Sequence, residues 1–145
     1  MKKILITVLV TLFSLSYGFA QCKKKLRLVS DTTAFVDESG SIMNSKQEDV
    51  VVEITDSAID IKISQDGMQR DNLVGKLKVT SCQWKVPYKE GKTVFQAALK
   101  DQGGDSRNAV LTIDGKVGRI GFLLEPQGTN EKRIRLSIKK FEEKK

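Results

Sequence analysis

From Leu26 to Ile138 apolar residues recur at every second position in short runs, and the connections between runs are too short to hold a crossover helix. Strands joined this way pair antiparallel with their neighbours in the chain, because a parallel return needs a dozen residues or more. The runs number about eight. A meander of that size hides its edges by closing on itself or by splitting into two packed sheets. We therefore expect an all-β fold, an antiparallel up-and-down meander of about eight strands in a closed or partly open barrel, with a two-sheet β-sandwich as the alternative.

The longest run, Leu73 to Tyr88, holds the only Trp, one of two Cys and one of two Pro. Leu73, Gly75, Leu77 and Val79 share one face and Lys76, Lys78 and Thr80 the other. Cys82, Trp84 and Val86 continue the parity of the lysines, so a bulge near Thr80 to Cys82 must swap the faces, or the second half must be covered on the other side. Pro87 ends the pairing and Lys89 to Gly91 supplies a turn. Upstream, short strands are expected at Leu26 to Ser30 and Thr33 to Val36, a long loop at Asp37 to Glu48, and a hairpin over Val50 to Ile63. Gln65 to Asn72 reads as a connection. Downstream, a strand around Phe95 to Leu99 leads to a Gly-rich loop from Asp101 to Asn108. A hairpin follows, Ala109 to Ile113 and Gly118 to Leu124, turning at Asp114-Gly115. Pro126 to Asn130 is a turn, Ile134 to Ile138 a last strand, and the FEEKK tail is expected to fray. Gly75, Gly118, Gly121 and Ala97, inside strands, would permit the bending that closure needs.

Residues 1–20 read as a secretory signal: Lys2 and Lys3 precede an apolar run, and Gly18 and Ala20 are small residues at a cleavage site. Residues 21–145 then form a single β domain with no transmembrane segment, exported to the periplasm or beyond. The net charge of +7 falls by two if Lys2 and Lys3 are removed. Lipidation of Cys22 is disfavoured, because Gln21 stands where that chemistry needs the cleavage. In an oxidising compartment Cys22 and Cys82 are expected to pair, the alternative being a buried thiol at Cys82 and a frayed end at Cys22.

In strand number, hairpin succession and size this chain resembles the calycins, the superfamily of lipocalins and fatty-acid-binding proteins. The Gly-x-Trp element of lipocalins is absent from the first strand, since Trp84 lies mid-chain, so no family binding residue carries over. The chain also looks like small exported β proteins of bacteria. The resemblance implies a barrel whose interior takes a small ligand.

The chain has no histidine, which removes the commonest general base, Ser-His-Asp and Cys-His catalysis, and His-containing zinc sites. Asp56 with Asp60 and Asp101 with Asp105 are ordinary surface carboxylates by pattern. The glycines of Gly115 to Gly121 lie in a hairpin with no following helix, so they support no phosphate loop. We expect no enzyme, cofactor, metal or nucleic-acid partner, and a monomer. The expected function is an exported binding protein for a small apolar or amphipathic ligand, its cavity lying between Leu77, Phe95 and Phe122. The alternative is an envelope-associated module that uses a basic sheet face, Lys76, Lys78, Arg119, Arg133, Arg135 and Lys139, to contact a protein or polyanionic surface.

Overall fold

A computed structural model describes residues 21–128 and 132–145, so residues 1–20, expected to be a signal, and part of the turn after Pro126 lie outside the described residues. Among the described residues nine strands follow one another: β1 Lys25–Val36, β2 Ile42–Ile54, β3 Ala58–Gln65, β4 Met68–Val86, β5 Glu90–Lys100, β6 Ser106–Lys116, β7 Arg119–Pro126, β8 Arg133–Ser137 and β9 Lys140–Lys144. Each of β2 to β7 pairs antiparallel with the next. β1 closes the circle. It pairs with β2 along one side, while on the other its first half, Lys25 to Val29, meets β9 and its second half, Thr33 to Val36, meets β8. The result is a closed eight-stranded antiparallel barrel with one extra strand, and the sandwich is excluded.

The two short strands expected at the start are thus one, with a bulge between Ser30 and Thr32. Buried Ser30 satisfies that irregularity locally: its hydroxyl donates to the Thr32 carbonyl at 2.9 Å and accepts from the Thr32 amide at 3.3 Å. In β4 the register shifts between Val79 and Ser81. Leu77 before that bulge is buried, and after it Cys82 and Trp84 take over the inward side.

Several expected boundaries are corrected. Asp37 to Glu48 is not a long loop: a compact turn occupies Asp37 to Ser41, with the Asp37 carboxylate accepting from the Ser39 and Ser41 amides at 2.9 Å each, and β2 begins at Ile42. Gln65 to Asn72 is likewise a two-residue turn at Asp66-Gly67 followed by the start of β4. Both central residues there have positive φ, 53° and 75°, as a type I′ turn demands. The other Asp-Gly, Asp114-Gly115, lies inside β6, and the turn falls at Val117 (φ 53°) and Gly118 (φ 73°). Gly118 is therefore a turn residue, whereas Gly75 does sit at a close approach, where a Cβ would strike the Ala98 carbonyl oxygen. The turn before β5 spans Val86 to Lys89, closed by a 3.0 Å bond from the Lys89 amide to the Val86 carbonyl.

The tail does not fray. Glu142, Arg27, Glu53 and Asp60 occupy one cross-strand row over β9, β1, β2 and β3. Lys144 reaches Glu53 at 2.6 Å and Lys24 reaches Glu143 at 2.9 Å, so opposite charges hold β9 against the wall. The hydrogen bond from Lys144 holds the Glu53 carboxyl below its usual range. Beneath, Leu28, Val52, Phe95, Leu111, Ile113 and Phe122 belong to a continuous core in which each large side chain contributes about 2 kcal/mol or more by burial.

Two stability outcomes follow from these features. Val117 is β-branched, 90% exposed and held at φ 53°, a conformation that costs an L-residue about 1–2 kcal/mol. Val117→Asn is expected to raise the urea midpoint, stabilising by about 1 kcal/mol. Cys22 and Cys82 are bonded across 60 residues, and replacing both by Ala is expected to destabilise by about 4 kcal/mol in the same titration.

Candidate functional site

Antiparallel succession puts alternate turns at opposite ends of the barrel, and the two ends differ. At one end the chain seals itself. The Cys22–Cys82 disulfide, with Cα atoms 6.0 Å apart, draws the segment at Gln21 and Cys22 against β4. The Trp84 indole donates to Thr93 Oγ1 at 2.6 Å, and the Thr93 hydroxyl donates to the disulfide sulfur of Cys22, 3.0 Å away. Tyr88 takes positive φ, 54°, which turns its ring between Trp84 and Phe141 with centroids 5.0 Å from each. Its hydroxyl donates to the Gln21 carbonyl at 2.8 Å. Burial, and secondarily the charge of Glu143, pushes the Tyr88 phenol up to about 12.

Among the described residues, the other end is open to a cavity of about 250 Å³. Its floor is Val50, Ile61, Phe122, Leu124 and Leu136, all buried in the barrel. Phe35, Ile63, Leu73 and Ile134 make the walls, and Lys46, Glu48, Arg70 and Asp71 the charged rim. The lysines Lys46 and Lys132 stand over the Phe35 ring, 5.5 and 5.7 Å from its centroid, and fix the lip by cation–π attraction. One polar group lies inside. Thr33 lines the cavity with only 3% of its surface exposed, and its Oγ1 has no hydrogen-bond partner among the described residues. A buried hydroxyl without a partner costs roughly 1–3 kcal/mol, a penalty that a polar atom of a bound molecule would remove.

Of the three residues expected to line a cavity, only Phe122 does so here. Leu77 and Phe95 are buried in the core outside that cavity, and Leu77 also lines a depression on the outer wall. The six residues expected on one basic face are not brought together either. Lys76 and Lys78 stand on β4, while Arg119, Arg133, Arg135 and Lys139 belong to β7, β8 and the link to β9, with β5 and β6 between. Arg133 is engaged by Glu125 at 3.3 Å and by the Glu38 carbonyl at 3.1 Å. Lys139 bonds Asp31 and lowers that carboxyl below its usual range.

The open end escaped the sequence reading, although a signal was present. Lys46 and Glu48 share the parity of Val50, Val52 and Ile54, which places polar side chains on the inward face where a core strand would not tolerate them. Among the described residues no group of three or more Cys, Asp or Glu side chains could hold a metal ion, and no helix is long and apolar enough to cross a membrane. No family model, curated protein or solved structure matches the chain.

The raised phenol of Tyr88 sets a pH dependence. The fold holds the neutral form, so this contribution is complete below pH 10 and is lost as pH rises through about 12. Urea midpoints measured across that window should fall, and Tyr88→Phe should flatten the fall while lowering stability at neutral pH through loss of the bond to Gln21.

Proposed function

We propose that the protein is an exported, non-catalytic binding protein of calycin-like kind, which takes a small apolar or amphipathic molecule through the open end of its barrel. The observation that carries this reading is the mouth cavity itself, apolar at its floor, charged at its rim and holding the unpartnered hydroxyl of Thr33. Ligand sites combine these features: apolar walls for affinity and a few polar groups for orientation. At ~30 Å³ per heavy atom, the share of a water molecule in its liquid, the volume suits a molecule or molecular end of roughly eight heavy atoms. The disulfide supports an oxidising compartment, and export accounts for the apolar start of the chain.

The test is native mass spectrometry of the protein purified after export, followed by calorimetry with octanoate and phenylacetate. A non-covalent adduct lost on denaturation, or uptake of either probe with a negative heat-capacity change, is the expected result. Ile63→Trp, which fills the mouth without disturbing the sealed end, should abolish uptake. A wild-type protein that carries no adduct and takes up neither probe would refute the reading.

A further inference from the structure

Three lysines on the outer wall, Lys76 and Lys78 on β4 and Lys100 on β5, are exposed and have no ion pair among the described residues. Several other cations of the wall are paired. Arg27 meets Glu53 and Glu142, Lys62 meets Asp60, Lys85 meets Glu90, and Arg133 meets Glu125. Register explains how the lysines come together. Lys76, Ala98 and Asn108 form one cross-strand row, flanked by the pair Lys78 and Gln96 on one side and by Val74, Lys100 and Ser106 on the other. Lys76 and Lys78 lie roughly 7 Å apart along the strand. No two of them are directly opposite, but their like charges share one face and repel one another.

The wall is also concave there. Ala98 offers only a methyl group between longer neighbours, leaving two adjoining depressions of about 330 and 430 Å³ that share Lys76, Ala98 and Asn108. Gln96 and Gln127 line the first and Arg107 the second, and no carboxylate lines either. We propose that this groove binds an acidic polysaccharide chain, its carboxylates or sulfates lying over Lys76, Lys78 and Lys100 and its hydroxyls reaching the amides of Gln96, Asn108 and Gln127. Two depressions in line suit a chain rather than a single ion. No aromatic side chain lines them, so the bases of a single-stranded nucleic acid have no stacking platform. A planar bilayer cannot reach the floor of a groove. The site is on the outer wall and does not depend on the mouth cavity.

Calorimetry at low and high salt tests this, with oligogalacturonate and dextran sulfate fragments as probes and oligothymidylate and phosphatidylglycerol vesicles as parallel arms. Binding of either glycan is expected, weakening with salt. Lys76→Gln, Lys78→Gln and Lys100→Gln should each lower affinity by about fivefold. Ala98→Phe, which fills the groove at unchanged charge, should remove binding. The double variant Arg119→Gln/Lys139→Gln, which removes charge elsewhere on the wall, and Ile63→Trp at the mouth should both retain it. The proposal is overturned if neither glycan binds at low salt, if oligothymidylate or the vesicles bind in their place, or if the double variant weakens binding as much as the groove lysines do.

Discussion

The barrel depends on one strand serving three partners. β1 pairs with β2 along its whole length and divides its other edge between β9 and β8, so every contact that closes the sheet passes through Lys25 to Val36. A strand of 12 residues cannot keep one straight register with partners set at different heights. The bulge at Ser30 to Thr32 divides it at the point where β9 gives way to β8, and the buried Ser30 hydroxyl keeps the backbone satisfied there. The Lys139 amide donates to the Val29 carbonyl at 2.8 Å across the same junction. Closure is thus a matter of backbone hydrogen bonding that an unclosed meander would leave exposed to edge pairing.

The two ends follow from how the closing strands finish. At the sealed end the disulfide, the Trp84–Thr93 hydrogen bond and the ring sequence Trp84, Tyr88, Phe141 converge, and Tyr88, at its positive φ, contacts both neighbouring rings. At the open end β2 runs past its partner: β3 pairs with it only from Asp49 onward, so among the described strands Ile42 to Gln47 is paired with β1 alone. The cavity lies where that extension, β8 and the start of β4 fail to meet over Phe122 and Leu124. Among the described residues the barrel is thus asymmetric, stapled at one end by the disulfide and open at the other.

Strands that cross the core were legible because burial on one face imposes a period of two: Val50 to Ile54, Ile59 to Ile63, Phe95 to Leu99 and Ala109 to Ile113 all lie where alternation puts them. The bulge in β4 was legible for the same reason, as a change of parity at Thr80. Strand ends that leave the core were not. Ile42 to Gln47 and Met68 to Arg70 are exposed on both faces, so no alternation marks them, and their turn-forming residues imitate a loop. The tail from Phe141 was misread because Lys and Glu look the same in a solvated end and in a charge ladder. Asp-Gly at residues 114 and 115 misled for another reason. Gly115 lies under the Trp84 ring, where a Cβ would come within 2.9 Å of the indole, so packing takes precedence over turn preference.

By itself the sequence determined the class of fold, the succession of hairpins, the inward set of most strands and the pairing of its two cysteines, because these rest on local alternation, short connections and a count of two. Tertiary structure alone decided that β1 would close the barrel in two halves, that one end would be sealed and the other open, and which lysines would share a groove. Those outcomes depend on register between strands far apart in the chain, where a displacement of one residue reverses the face that every side chain presents.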